Sequence, residues 1–366
     1  MFITIVIIIV VLSLLIFIHE LGHFASAKIN GVAVEEFGIG FPPRLFKFKG
    51  KKTTYSINLI PIGGFVKIKG EMGENKEDKD SYSNKNFWQK FSILFSGVGM
   101  NIVLAIVLLS VGFMIGLPTV LDDSQMNNSQ IKNRKVQISS VYENSAAEQS
   151  GIMIGDSIRD INGQVFNNVS EVQQFIAQNQ ENTLTVDILR GKEEISTEIT
   201  PSVVEGQGDD KIMGVTLVNT GIIKYNFFKS VAKGFITAFS LLWAIIYSFY
   251  QLIVGTIPLG AISGPVGIVV LTSQISKLGL IYILQFTAIL SLNLVILNVL
   301  PLPALDGGRI IFLLFEKIRG KPNNEKIETM VHNIGFIFLI LILIVITYKD
   351  FLKYGGSIVS GINNLF

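Results

Sequence analysis

The sequence predicts a multi-pass α-helical membrane protein with four transmembrane helices, a membrane-associated β-hairpin and one extracytoplasmic α+β domain. Charged residues make up only 16% of the chain, whereas soluble domains average about 25%. The apolar residues gather in runs long enough to cross a hydrocarbon core of about 30 Å. One polar segment with alternating hydrophobicity lies between two of these runs. The net charge of +2 is spread along the chain, so no nucleic-acid partner is expected.

The first apolar run, residues 1–27, is predicted to be transmembrane helix 1. A cleaved signal peptide is the alternative interpretation. The first four residues carry no Lys or Arg, and no small-residue cleavage site precedes His19. We therefore expect a retained membrane span.

The end of this run contains the pattern His-Glu-x-x-His. His19 and His23 are four residues apart, so a helix places both imidazoles on one face, where they could bind one zinc ion. Glu20 lies beside them and could take a proton from water at that ion. A charge at bilayer depth costs about 2.5–3.5 kcal/mol, which favours a functional role. A polar cluster between packed helices is the alternative.

Residues 28–90 are rich in lysine, which predicts a cytoplasmic loop and an outside N-terminus. Within it, residues 53–70 read as a β-hairpin turning at Pro61, Gly63 and Gly64. An ordinary two-stranded loop is one interpretation. The other is an element that dips toward the site and offers backbone groups, at Ile57 and Val66 among others, to a substrate strand.

Residues 91–118 are predicted to be transmembrane helix 2, in which small residues around Gly97 allow close helix packing and Asn101 needs a polar partner. Residues 121–218 are polar, with a helix ending at Gly151, a hairpin turn at Asn162-Gly163, a helix over 171–178 and paired strands over 184–189 and 194–199. This pattern resembles a PDZ domain of the kind attached to bacterial proteases. Such domains bind extended peptides, and a spacer without a ligand is the alternative.

Residues 227–257 pose a topological question, because hydropathy alone predicts a span there. A crossing at this point would move a later acidic candidate ligand, Asp306, to the face opposite His19 and His23. It would also place a lysine- and arginine-rich loop outside. We therefore predict an interfacial or re-entrant segment. The remaining boundaries are a turn at 261–267, transmembrane helix 3 at 280–302, a cytoplasmic loop and helix at 303–332, transmembrane helix 4 at 334–349 and a tail at 350–366.

A catalytic zinc site usually has three protein ligands, so one is missing from the first helix. The chain has no cysteine, which leaves histidine and carboxylate. His332 stands alone at the start of the last span. Asp306 follows transmembrane helix 3 at the predicted depth of the two histidines. The residue is also a plausible helix N-cap before Gly307 and Gly308.

HELGH in the first span, NVLPLPALDGG after the third span and the PDZ-like segment between them together resemble the site-2 protease family, in its bacterial RseP-type branch. The resemblance implies intramembrane proteolysis by Zn2+. It implies ligands His19, His23 and Asp306 and the base Glu20, with Asn298 and Pro301 at the substrate. Substrates of this family are transmembrane proteins, such as trimmed anti-sigma factors and signal-peptide remnants.

Two features depart from that family pattern. Val98 follows Gly97 where the family often has proline, and only one PDZ unit fits the polar segment. The resemblance further implies a bacterial inner membrane. The distribution of lysine and arginine among the loops predicts that the N-terminus, PDZ domain and C-terminus are outside. The alternative function is a zinc-binding membrane scaffold whose PDZ domain recruits partners without proteolysis. No inverted repeat supports a transporter.

Overall fold

The structure is a computed structural model, and it describes the chain except Met1, Met72, residues 122–130, Glu143, residues 205–207, Asp209, residues 258–262, Pro322 and residues 364–366. The predicted turn at 261–267 therefore falls partly outside the described residues. The chain forms two compact units. The first comprises Met1–Leu109, Gly234–Val270 and Thr287–Phe366, and the second comprises Ser110–Lys233 and Leu271–Phe286.

The described α-helices are, in chain order, α1 (Phe2–Ile29), α2 (Phe87–Ile115), α3 (Ala146–Gln149), α4 (Val169–Gln178), α5 (Phe227–Val254), α6 (Pro265–Leu278), α7 (Leu280–Val299), α8 (Asp306–Arg319) and α9 (Glu325–Asn363). The described strands are β1 (Val34–Lys49), β2 (Thr54–Ile68), β3 (Leu117–Val120), β4 (Lys132–Val141), β5 (Ser157–Ile161), β6 (Leu184–Arg190), β7 (Glu193–Ile199), β8 (Ser202–Val203), β9 (Lys211–Ile212) and β10 (Val215–Ile223).

Five helices in the described part of the chain are long and apolar enough to cross a membrane: α1, α2, α5, α7 and α9. The mean hydropathy of α5 is 1.6, whereas the other four lie between 2.2 and 2.8. By length and composition α5 is thus the weakest candidate. The predicted count of four spans stays a prediction.

Helices α1 and α2 pack closely through small residues. A Cβ atom at Gly22 would lie 2.7 Å from the backbone carbonyl carbon of Ser96 and 2.9 Å from Met100 Cγ. Only a glycine at position 22 therefore allows α1 to approach α2 this closely. The small residues around Gly97 had predicted such close helix packing. Further along α2, the fully buried Asn101 accepts a hydrogen bond from Ser291 Oγ at its backbone oxygen, at 2.8 Å. Its side-chain amide has no partner among the described residues.

The predicted pairing of residues 53–70 is wrong. These residues do not fold onto themselves, because β2 continues through Pro61 and pairs antiparallel with β1. Residues 36–39 of β1 lie between two parts of β2, residues 64–67 on one side and residues 54–57 on the other. Gly63 has a φ of +83°, a conformation that glycine adopts easily, so the turn residues make an irregularity within a strand instead of a hairpin end.

A small apolar core fixes this β-element to the first two helices. Ala27, Val32, Val34, Ile68 and Ile93 are buried against one another. They come from the end of α1, the connection to β1, the start of β1, the end of β2 and the start of α2. The inner ends of both strands are therefore anchored. On the edge opposite residues 64–67, Phe46 and Phe48 expose about 70% of their surface.

The second unit contains a six-stranded sheet in the order β3-β10-β4-β5-β6-β7. Along β6, Leu184, Val186 and Ile188 are buried while the intervening residues are not, which is the period of a strand with one face on a core. The predicted pair of strands around Gly191 is present as β6 and β7. Residues 162–163 form a tight turn, as expected for a hairpin. Among the described residues, the two sides of this turn share a single bridge, between Ile161 and Gln164. Strand β5 pairs with β4 and β6 instead.

The last helix is longer than the predicted span 334–349. Helix α9 begins at Glu325 and continues to Asn363, so the predicted tail at 350–366 is helical over most of its length. Hydropathy missed both ends because they carry charges. Asp350 is nevertheless buried, and its carboxylate accepts hydrogen bonds from the backbone amides of Gly264, at 3.2 Å, and Gly267, at 2.7 Å. It thereby satisfies free donors at the N-terminus of α6.

Candidate metal centre

Three side-chain atoms from two distant parts of the chain meet in the first unit. His19 Nε2 and His23 Nε2 lie 3.1 Å apart, because residues four apart share a face of α1. Asp306 Oδ2 lies 3.1 Å from His19 Nε2 and 3.4 Å from His23 Nε2. The structure thus brings together the three residues expected as metal ligands.

A hydrogen bond from α1 to α2 selects the tautomer of one neutral imidazole. His23 Nδ1 lies 2.8 Å from the backbone oxygen of Ile93. A carbonyl oxygen can only accept, so Nδ1 carries a proton and, in the neutral imidazole, Nε2 presents a lone pair. Second partners of this kind orient histidine ligands toward metal ions. The lone pair of His23 points into the space shared with His19 and Asp306.

Gly97 of α2 leaves room for the two imidazole rings. A Cβ atom there would lie 2.7 Å from His19 Cε1 and 2.8 Å from His23 Cε1, closer than real Cβ contacts. The sequence indicated only that Gly97 allows helix packing. Its contact with both rings could not be inferred without knowing which residues face each other.

The turn after α7 positions Asp306. The N-cap of α8 is Leu305, which makes no side-chain capping bond, and Asp306 is the first helical residue. The alternative interpretation of Asp306 as an N-cap is therefore wrong. Side chains at Gly307 and Gly308 would collide with the end of α7 and the following turn, since their Cβ atoms would lie 2.6 Å from the carbonyl carbon of Val299 and 2.9 Å from that of Leu302.

Glu20 contacts the β-element. The backbone amide of Val66 donates to Glu20 Oε2 at 3.1 Å, which holds the carboxylate beside the two histidines. Ile57 lies elsewhere in the same element, opposite both Phe46 and Ile39, so its backbone is flanked by strands on both sides. Val66 instead lies opposite Phe37 alone, on an edge of the element.

The other two predicted site residues lie at the end of α7. Asn298 is half-buried in the last turn of the helix, and Pro301 is exposed just beyond it. In the sequence, both residues lie between the body of α7 and Asp306. Their predicted contact with substrate stays a prediction.

An ion pair and a cavity flank the site on the side of α8. Arg309 contacts the carboxylate of Glu71. Burial alone would lower the pKa of Arg309, but the Glu71 charge raises it above the usual value, so the guanidinium stays charged. A cavity of about 570 Å³ lies beside this pair, with Tyr82, Lys90 and His332 in its wall.

The donor set fits a zinc ion. Tetrahedral zinc with bonds of about 2.0–2.1 Å to nitrogen and oxygen has ligand atoms about 3.4 Å apart, and the observed separations are 3.1 to 3.4 Å. Asp306 Oδ2 is buried and accepts no hydrogen bond from the described residues. Two imidazoles and a carboxylate are also ordinary ligands of catalytic zinc. A cation would compensate three electron-rich atoms that otherwise face one another.

Comparison with known proteins places the chain in a family. The model of Peptidase family M50 matches residues 7–342. The chain belongs to peptidase family M50. The regulator of sigma-W protease RasP of Bacillus subtilis is 29% identical to this M50 peptidase, covering 95% of this chain and 98% of the relative. The zinc metalloprotease RasP of Geobacillus kaustophilus is 30% identical, covering 94% and 97%.

Among solved structures, the PDZ domain of the SdrC-like protein Lmo2051 from Listeria monocytogenes matches part of this M50 peptidase. The identity is 23%, the match covers 23% of this chain and 86% of that domain, and the TM-score is 0.21.

Proposed function

We propose that this M50 peptidase uses zinc to hydrolyse peptide bonds within membrane-spanning segments. One observation carries the proposal. His19, Glu20 and His23 lie in the 28-residue helix α1, which contains an 18-residue stretch with a mean hydropathy of 2.8, and Asp306 reaches them from the far end of the sequence. A peptidase site built on such a helix is suited to substrates that are themselves in the bilayer.

The roles of the residues follow from their placement. His19, His23 and Asp306 would hold the ion, which supplies Lewis-acid activation of water and of the scissile carbonyl. Glu20 takes the proton of the attacking water and then delivers it to the leaving amide nitrogen. The Val66 amide donates to Glu20 Oε2, so Oε1 is the oxygen we assign to this proton transfer.

Substrate presentation would use the edge of the β-element near Glu20. A helical substrate hides its carbonyl groups in hydrogen bonds and must unwind before cleavage. In a bilayer the freed groups need partners. Residues 64–68 of β2 have β1 on one side. On the other side the Val66 amide is bonded to Glu20, so an added strand would pair with the remaining backbone groups of this edge. Val66 lies in the middle of this edge, and Asn298 and Pro301 are proposed to contact the substrate from the end of α7.

The substrate class we favour is transmembrane proteins already trimmed outside the membrane, including anti-sigma factors, and signal-peptide remnants. The name of the Bacillus subtilis relative, a regulator of sigma-W protease, supports the first of these. We also propose that the six-stranded sheet unit is a PDZ domain that limits access of untrimmed substrates, because no metal-ligand cluster is found among its described residues.

Four spans and a defined orientation complete the proposal. If α1 and α7 both end on the side of the metal centre, then α2 returns between them. An additional crossing by α5 alone would reverse α7. We therefore propose that α5 lies in the outer interface, that residues 28–90 and α8 are cytoplasmic, and that the N-terminus, the sheet unit and the C-terminus are outside.

Cross-linking can test where the substrate pairs. The chain has no cysteine, so Lys67→Cys on the edge strand can be combined with single cysteines along a model transmembrane substrate. We expect disulfides at alternate substrate positions. Lys47→Cys, on the far side of the element, is the matched control and should not cross-link. Equal cross-linking at both sites would contradict strand addition at residues 64–68.

A cleavage assay distinguishes the proposed protease from the alternative, a zinc-binding scaffold without proteolytic activity. The purified protein in lipid nanodiscs with zinc should cut the model substrate inside its apolar segment, as mapped by mass spectrometry. Zinc binding without any cleavage of several trimmed substrates would favour a scaffold.

A further inference from the structure

The start of α9 holds the turn that carries Asp306. The backbone amide of Ala304 donates a hydrogen bond to His332 Nδ1 at 2.8 Å. Because Nδ1 accepts, it has a lone pair and the proton of the neutral imidazole is on Nε2. That nitrogen is buried and has no hydrogen-bond partner in the described part of the chain. Among the described residues, the hydrogen bond from the Ala304 amide is thus the polar contact of the His332 ring.

Ala304 has an unusual backbone conformation. Its φ is +76°, in the left-handed region that disfavours residues with a Cβ atom. The other described non-glycine residues with positive φ are all asparagines: Asn75, Asn133, Asn144 and Asn162. Asparagine tolerates this region and alanine does not. An external contact is therefore needed to hold Ala304 there.

A second contact from α9 supports the same turn. Gly335 lies one helical turn after His332, and a Cβ atom at Gly335 would be 2.9 Å from the backbone oxygen of Pro303 and 3.0 Å from its carbonyl carbon. Helix α9 therefore presses on Pro303 and Ala304, immediately before Asp306. On the other side of Asp306, Gly307 is packed against the end of α7.

We propose that His332 is a positioning residue of the metal centre. Its hydrogen bond keeps Ala304 in the left-handed conformation, and this backbone direction aims the Asp306 carboxylate at His19 and His23. His332 itself is not a ligand, since its Nδ1 is used by the Ala304 amide. The inference rests on the proposed zinc function, and it assigns a role to the one histidine outside the HExxH motif.

Substitutions at His332 separate the hydrogen bond from the volume of the ring. In His332→Asn, the side-chain oxygen can accept from Ala304 where Nδ1 did. In His332→Leu, the space is filled without an acceptor. We expect the leucine variant to bind zinc about 10–100-fold more weakly, as is usual when a partner that orients a ligand is lost, and the asparagine variant to bind close to wild type. Asn333→Leu, at the exposed neighbouring residue, is the control.

A second substitution separates the effect on the Ala304 backbone from a general loss of stability in the His332 variant. Ala304→Gly lets the backbone adopt positive φ without a supporting contact, so adding it to His332→Leu should restore zinc affinity. A role of His332 in packing alone predicts no such rescue. Zinc dissociation constants from chelator competition and thermal unfolding of the metal-free proteins are the measurements.

The result that overturns the proposal is a leucine variant with wild-type zinc affinity, or a loss that Ala304→Gly does not repair. These outcomes are distinct from failure of the proposed function. If wild type binds zinc but cuts no substrate, the proteolytic function fails while the dissociation constants still decide the role of His332. If wild type binds no zinc, both fail.

Discussion

Val66 and Glu20 are joined by a hydrogen bond from the strand amide to a carboxylate oxygen, at 3.1 Å. The contact links an edge of the β-element directly to the residue proposed as the base. A substrate strand that pairs beside Val66 therefore arrives next to the group that handles the proton. Strand pairing and proton transfer are expected to be separable by mutation, because the amide and the carboxylate belong to different elements.

Replacing Glu20 by glutamine should remove proton transfer while keeping the strand contact. The glutamine oxygen can still accept from the Val66 amide, but it cannot take a proton from water. We expect kcat to fall about 10²–10⁴-fold, the usual contribution of a general base, with zinc content unchanged by elemental analysis. Glu35→Gln, an exposed acid paired with Lys67, is the control. Full activity of Glu20→Gln would exclude Glu20 as the base.

Replacing Asp306 by asparagine should weaken zinc binding. The amide oxygen has similar size but no charge, and the imidazoles at 3.1 and 3.4 Å remain. We expect affinity to fall by more than about 100-fold, beyond the effect of an outer-shell change. Loss of a negative charge in the first turn of α8 destabilises the helix by only about 0.3–1 kcal/mol. Metal retention against a chelator is the measurement, and unchanged retention would remove Asp306 from the ligand set.

Two glycines of α2 provide a matched pair. Gly97→Ala places a methyl group against both imidazole rings, whereas a Cβ atom at Gly99 meets nothing within 4 Å. Alanine in place of a helical glycine otherwise stabilises by about 1 kcal/mol. We expect Gly97→Ala to lower zinc affinity at least about 10-fold and Gly99→Ala to keep affinity and equal or exceed wild-type stability. Equal zinc affinity in the two variants would mean that the rings move aside freely.

The four-span arrangement can be tested by labelling single cysteines with a membrane-impermeant maleimide from outside. Ser263→Cys, before α6, and Lys277→Cys, in its last turn, should react. Lys321→Cys, after α8, should react only once the membrane is opened. The reverse pattern would mean that α5 crosses the membrane, and Asp306 could then not share a site with His19 and His23 in the proposed orientation.

Asp350 should contribute to stability and not to metal binding. In Asp350→Ala, the amides of Gly264 and Gly267 lose their acceptor, and hydrogen bonds to charged groups contribute about 1.5–3 kcal/mol. We expect a lower unfolding temperature with normal zinc content. Leu352→Ala, whose side chain is largely exposed, is the control and should have little effect. Zinc loss in Asp350→Ala at temperatures where the protein stays folded would contradict this assignment.

The sequence predicted the features that depend on local spacing or on hydropathy. His19 and His23 share a helix face wherever the helix lies in the membrane. Asp306 follows an apolar run whose end was predicted at the same membrane depth as the two histidines. Residues 34–49 were missed as a strand because Pro42, Pro43 and the basic residues read as a loop. The contacts of Gly97 with the imidazoles, of Val66 with Glu20 and of His332 with Ala304 join residues that are distant in sequence. No single-chain pattern encodes such pairs.

The proposed metal centre draws its ligands from opposite ends of the chain, with His19 and His23 in the first helix and Asp306 only after α7. During synthesis, the first helix is made long before the last ligand exists. A nascent or truncated chain that stops before Asp306 therefore has two imidazoles and a base but no complete metal site. Catalytic competence arrives only when most of the protein's own apolar helices have been made. The order of the sequence thus delays completion of the proposed metal site until those helices have been made.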